Sequence, residues 1–168
     1  MNPALICTYA ALEGLVIGGL TWFFEVPLEL PGIGILAALL TFMILGAMIA
    51  IYRAGLIKWD RNLAIAVYSS LFAIILIYLF SFVGSITGWF HVPYIHGAGP
   101  VGIAFSLFVI GIGALCLVAD FDFIERGVQM GAPKQLEWRA AFGLMVTLVW
   151  LYLEILKLLA KIAIYSRR

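Results

Sequence analysis

The stretch Leu30-Pro-Gly-Ile-Gly-Ile-Leu-Ala-Ala-Leu-Leu-Thr-Phe-Met-Ile-Leu-Gly-Ala-Met-Ile-Ala-Ile-Tyr52 decides the fold. It holds no Asp, Glu, Lys or Arg. A helix that crosses a bilayer needs about 20 predominantly apolar residues, and this run is long enough without a single charge. Hydrocarbon offers no water to backbone N–H and C=O groups, so each must pair within its own segment, which makes the run an α-helix.

Four further runs extend the pattern to both sides. The first is Pro3 to Phe24, interrupted only by Glu13. The third is Leu63 to about Gly84, and the fourth is about Val101 to Ala119, continuing as a helix through Asp120 to Gln129. The fifth is Leu136 to Tyr165, whose uncharged part, Ala140 to Leu153, is too short to span alone; Glu154, Lys157 and Lys161 lie in its second half. The expectation is an all-α integral membrane bundle, one unit over residues 1–168, with transmembrane helices at about 3–24, 30–52, 63–84, 101–129 and 136–165. The connections are short and rich in breakers, as in Glu25-Val-Pro-Leu-Glu-Leu-Pro-Gly32.

Composition agrees. Of 168 residues, 65% are hydrophobic and 11% charged, against roughly 25% charged in an average soluble domain. A soluble fold of this length has too little interior to hide that apolar surface, so the lipid bilayer is the expected partner. The formal net charge of +1 argues for neither nucleic acid nor an acidic ligand. Cys7 and Cys116 sit in apolar runs and read as small hydrophobes. No nucleophile elbow, phosphate loop or HExxH is present, so an enzyme is not expected, nor a nucleotide, haem or flavin cofactor. The first run has no basic lead-in and contains Glu13, so it reads as a retained helix rather than a signal peptide.

Trp22, Trp59, Trp89 and Trp138 fall near run ends, as interfacial belts do. Gly14 and Gly18, and Gly84 and Gly88, stand at GxxxG spacing, a weak signal for close helix approach among 17 glycines. Arg53, Lys58 and Arg61 flank the second connection, and Arg126, Lys134 and Arg139 flank the fourth. The positive-inside rule therefore puts those connections and the N-terminus in the cytoplasm. Five crossings then leave Lys157, Lys161, Arg167 and Arg168 toward the outside, a tension that a last helix dipping in without crossing would relieve; five crossings remain the favoured reading.

Ionisable groups inside membrane segments are costly and are functional candidates by default. Three carboxylates qualify: Glu13, Asp120 and Glu154. Asp120 lies roughly 14 Å before the end of its helix at 1.5 Å per residue. The last two helices form a hairpin, so Asp120 and Glu154 are candidates to face one another, share a proton and act as a pH sensor or calcium site. Each residue also has a plainer reading. Glu154 pairs with Lys157 at i+3 and Lys161 at i+7 on its own face; Asp120 and Asp122 are solvated helix-end residues; Glu13 hydrogen-bonds a neighbouring helix; Arg53 is an orientation signal. His91 and His96 have no third ligand nearby and read as loop residues.

Asp120-Phe-Asp-Phe-Ile-Glu125-Arg-Gly, Gly131-Ala-Pro-Lys, Glu137-Trp and Val149-Trp-Leu-Tyr-Leu-Glu154-Ile-Leu resemble the Bax inhibitor family, in its bacterial YccA-like branch. Tyr9-Ala-Ala-Leu-Glu-Gly14-Leu resembles the start of that branch's third helix, so the resemblance covers nearly the whole chain. It implies a seven-helix bundle of which this chain supplies five, with the last helix central and the bundle in a bacterial inner membrane. It also implies a pH-sensitive calcium leak without an organic cofactor, in which Asp120 and Glu154 are the proton-sharing acids on the last two helices. Arg53 is only a distant substitute for the family's basic latch residue, and the segment between the two acids is longer than in some relatives. The other reading implied for this branch is a protein that acts by contact with a membrane-bound protease, or by self-association, and a third is an inactive truncated form.

Overall fold

In the computed structural model, which describes residues 3–87 and 97–167, the chain forms five helices. They are α1 (Pro3–Glu25), α2 (Ile33–Arg53), α3 (Arg61–Thr87), α4 (Pro100–Gln129) and α5 (Gln135–Ser166). All five are long and apolar enough to cross a membrane, and among the described residues there is no strand. The chain is a helical, multi-pass membrane protein. His91, His96, Trp89 and Gly88 lie outside the described residues.

Local chemistry sets the helix ends. The Pro31-Gly32 turn delays α2 to Ile33, three residues after the apolar run begins. The Glu25 carboxylate at the end of α1 accepts from the Gly34 N–H at 3.0 Å, placing negative charge at the positive end of α2. Asp60 starts α3 two residues earlier than the hydropathy suggests: its Oδ1 accepts the Leu63 N–H at 2.8 Å, an N-cap bond. Pro100 opens α4, where a missing N–H costs nothing. Helices α2 and α4 stop in the same way. Gly55 (φ 70) and Gly131 (φ 61) turn left-handed, and paired bonds close each end: Gly55 N to Tyr52 O with Leu56 N to Ile51 O, and Gly131 N to Val128 O with Ala132 N to Gly127 O.

Helix α5 packs against α1, α2 and α4, while α4 packs against α2, α3 and α5. Among the described residues, α3 is in close backbone contact with α4 alone and reaches α5 through the Tyr78 side chain. Ala37, Leu117, Leu151, Ile155 and Leu156 form the buried centre between α2, α4 and α5. A smaller cluster of Val67, Ile74, Val109 and Ile112 joins α3 to α4. Gly113 brings α4 onto α5; a Cβ there would stand 3.1 Å from Leu151 Cδ1. Leu15, Phe42, Phe72 and Phe108 remain exposed, which suits a surface bathed in acyl chains. Between α1 and α5, Thr21 donates to the Ile17 carbonyl at 2.8 Å, so the 2.7 Å contact with Tyr152 is a bond donated by the tyrosine.

The last helix runs the full length of the bundle and is long and apolar enough to cross a membrane. It starts at the end that holds residues 54–60 and 130–134. It finishes beside the α1–α2 connection, where Arg167 donates to the Glu29 carbonyl at 2.8 Å. The crowding of positive charge at that finish has a structural answer. Lys157 is paired with Glu154, and Lys161 donates to the Gly102 carbonyl and to Ser106. These lysines are internal polar partners, not loop charges of the kind that the orientation rule counts.

Gly14 and Gly18 do not mark a helix contact within this chain: a Cβ at either would meet nothing within 4 Å. The close approach is at Gly34, where a Cβ would overlap Thr21 Cγ2 and stand 3.1 Å from Glu25 Oε1. Gly34→Leu is therefore expected to destabilise the fold by about 1–3 kcal/mol through overpacking, whereas Gly14→Leu leaves it nearly unchanged. Thermal unfolding of the two variants in detergent checks the contrast; equal melting temperatures would contradict the packing.

Candidate functional site: two acidic levels

Asp120 sits on α4 against the first third of α5. Gly143 faces it, with the position of a Cβ 3.6 Å from Asp120 Oδ1, and the Thr147 hydroxyl interacts with its carboxyl group. The other oxygen, Oδ2, is buried and has no hydrogen-bond partner among the described residues. No cation is paired with it among those residues. Cys116, one turn earlier on α4, and Thr147 line an apolar cavity of about 330 Å³ between α3, α4 and α5.

Glu154 occupies a different level. It is 2% exposed and well supplied with donors. Lys157 Nζ lies 2.6 Å from Oε1, and the Tyr78 hydroxyl of α3 reaches both carboxylate oxygens at 3.0 and 3.1 Å. Lys157 also stands over the Tyr78 ring, 5.0 Å from its centroid, a cation–π contact. One turn further on, Lys161 Nζ donates to Gly102 O at 3.1 Å and to Ser106 Oγ at 2.9 Å. Glu154, Lys157, Lys161, Ser106 and Tyr78 line a second cavity of about 260 Å³.

The structure does not bring Asp120 and Glu154 together. Contacts across the antiparallel hairpin fix its register: Asp120 lies beside Gly143 and Thr147, Gly113 beside Leu151, and Gly102 and Ser106 beside Lys161. By that register Glu154 is level with residues near Ile110, ten positions before Asp120, or about 15 Å along the helix. The two carboxyls therefore do not face one another across the hairpin, contrary to the expectation of a proton-sharing pair. Asp120 stands nine residues before the end of α4 but Glu154 nineteen residues after the start of α5, so the turn brings them to different levels and α5 presents glycine and a hydroxyl to Asp120. Glu154 takes the plainer arrangement with Lys157, while Lys161 bonds to α4.

The secondary candidates are dispersed. Asp122 is bound to Arg126 at 2.8 Å. Glu13 accepts from the Tyr9 hydroxyl at 3.0 Å on its own helix, and its second oxygen is buried without a partner among the described residues. Arg53 is exposed at the end of α2 and lines a cavity with Asp122 and Glu125. Cys116 is half-buried and Cys7 exposed on the outer face of α1. No group of three His, Cys, Asp or Glu side chains converges among the described residues.

Tyr78 is the site residue that the pattern of charges along the sequence does not mark. Its side chain lines both the 330 Å³ and the 260 Å³ cavities and holds Glu154. A tyrosine within an uncharged span was the available signal, because its hydroxyl needs a polar partner.

A multi-pass helical bundle with a half-buried Asp120 and a buried Glu154 at separate levels of its last two helices defines the class. Residues 1–164 match the family described as Bax inhibitor 1 like, and the chain belongs to that family. No curated protein and no solved structure matches it.

The Glu154 cluster predicts a specific non-additivity. Lys157→Met removes one partner of a buried carboxylate and is expected to cost about 1–2 kcal/mol, less than for a fully buried pair because the lysine side chain is 40% exposed. Adding Glu154→Gln should recover part of that loss. Unfolding of the two single variants and the double variant measures the coupling; strictly additive effects would contradict the pairing.

Proposed function

We propose that the chain is a cation-permeable membrane protein, a calcium leak whose passage responds to pH through Asp120, with Glu154 as a second and separate acidic level. The supporting observation is the unpartnered, buried Oδ2 of Asp120. An ionised carboxylate in a water-poor interior is costly unless it is paired, so this oxygen needs a proton or a passing cation. Carboxylate oxygens suit hard cations such as calcium. With no cluster of three ligands among the described residues, a cation meets one carboxylate at a time, which favours passage over storage.

The route runs along the seam between α3 and α5. Its first part is the apolar cavity beside Cys116 and Thr147, at the level of Asp120. Its second is the polar cavity of Glu154, Lys157 and Lys161. Tyr78 stands between them, tied to Glu154, and closes the way. Loss of the Asp120 proton as pH rises leaves a charge that must be hydrated, and water drawn to it loosens the contact of α4 with α5 and α3. Flux then increases with pH. In this reading the protein is not an enzyme, belongs to the bacterial YccA-like branch, and lies in the inner membrane with its N-terminus and the Arg53, Lys58, Lys134 end in the cytoplasm.

Calcium flux into liposomes containing the purified chain tests this. Wild-type flux should rise several-fold between acid and alkaline pH. Asp120→Asn should flatten that profile, because the amide stays neutral throughout. Tyr78→Ala should raise flux at acid pH by removing the barrier between the cavities. Folded, helical protein that passes no calcium at any pH would overturn the reading.

A further inference from the structure

We propose that the cavity at the end of the bundle bearing residues 54–60 binds the phosphate of an anionic phospholipid headgroup, held by Arg53 and Lys58. This site is separate from the α3–α5 seam and stands whether or not the chain passes cations.

The cavity has a volume of about 790 Å³, within the range of small-molecule sites, roughly 300–1,000 Å³. It lies between the end of α2, the 54–60 connection and α4, with Arg53, Lys58 and Trp59 on its wall. Arg53 is the last residue of a membrane-crossing helix, and Lys58 follows in the connection, so both stand where the headgroups of a bilayer lie. Neither makes an ion pair among the described residues. The acids of the same cavity are already engaged. Asp122 is bound to Arg126 at 2.8 Å, and Glu125 accepts from the Tyr52 hydroxyl and from Gln129. With Arg126 beside Asp122, the site keeps one net positive charge.

The remaining lining fits a lipid rather than a hydrated ion alone. Ile49, Ile57, Phe121 and Leu144 supply an apolar wall for the glycerol region and the first carbons of an acyl chain. Trp59 is half-buried and packs edge-on against Tyr68, 5.8 Å between ring centroids, which holds the indole at the rim. Aromatic rings of this kind favour the headgroup level, and basic pockets between transmembrane helices bind anionic headgroups. Arginine adds a planar fork that matches phosphate oxygens.

Native mass spectrometry of the full chain in detergent, with added phosphatidylglycerol or phosphatidylcholine, reads the site directly. Wild-type protein should retain one phosphatidylglycerol in preference to phosphatidylcholine. The double variant R53Q/K58Q should bind it about tenfold more weakly, and R53K/K58R should keep most of the affinity. Lys58→Gln alone, in an exposed connection, guards against a folding defect and should weaken retention about threefold. Inorganic phosphate identifies the source. If millimolar phosphate leaves the lipid bound, the headgroup and its chains are the ligand; if it displaces the lipid in wild type but binds no R53Q/K58Q protein, the same residues serve a soluble phosphate. Equal retention of phosphatidylglycerol by wild type and by an R53Q/K58Q protein of unchanged melting temperature would overturn the proposal.

Discussion

Polar groups inside hydrocarbon have to find their partners within the protein, because the solvent offers none. The arrangement of the last two helices follows from how far this chain meets that demand. Backbone groups meet it by forming helices. The two lysines of α5 meet it by turning onto α4 and Glu154, and Tyr152 meets it through Thr21. Each bond ties α5 to a neighbour, so the helix with the most charge in its second half is also the one that the others surround. On the last two helices Asp120 is the exception, as Glu13 is on α1. One oxygen of Asp120 is buried and unmatched, which makes it the least compensated acid on the α4–α5 hairpin.

Separation of the two acids changes what their chemistry can be. A facing pair would share one proton and titrate as a unit. Here Glu154 is held by an ammonium and a phenol, and Asp120 lies against glycine and threonine. The first is a structural knot that binds α3 to α5. The second is a carboxyl with one unpartnered oxygen, whose neighbours Cys116 and Thr147 line an apolar cavity. Tyr78 belongs to both levels, since it lines the two cavities and holds Glu154.

The opposite chemistry gathers at the end that carries residues 54–60. There the acids of α4 are engaged by Arg126, Tyr52 and Gln129, while Arg53 and Lys58 are left facing a large cavity. Charge that the sequence offers as an orientation signal is thus also available for recognition. Lys157 and Lys161 show the reverse: they look like misplaced orientation signals and prove to be internal ligands for groups of the bundle.

Apolar run length and the intolerance of hydrocarbon for unpaired backbone determine five spanning helices from the sequence alone, and the motifs from Asp120 to Glu154 were enough to indicate the family. Breakers in the short connections were legible after α2 and α4, where Gly55 and Gly131 turn left-handed, although the cap at Asp60 extended α3 beyond what hydropathy marks. The i+3 pairing of Glu154 with Lys157 was legible too, because helical periodicity fixes neighbours on one helix. What periodicity does not fix is the register between helices. That depended on Gly113 packing against Leu151, on Lys161 reaching Gly102 and Ser106, and on a short turn opened by Gly131. These tertiary contacts set Asp120 and Glu154 about 15 Å apart along the hairpin, and they brought Tyr78 from a distant helix to Glu154. A residue's depth on its own helix is a one-dimensional property of the sequence; which residue stands opposite it is decided only when the helices pack.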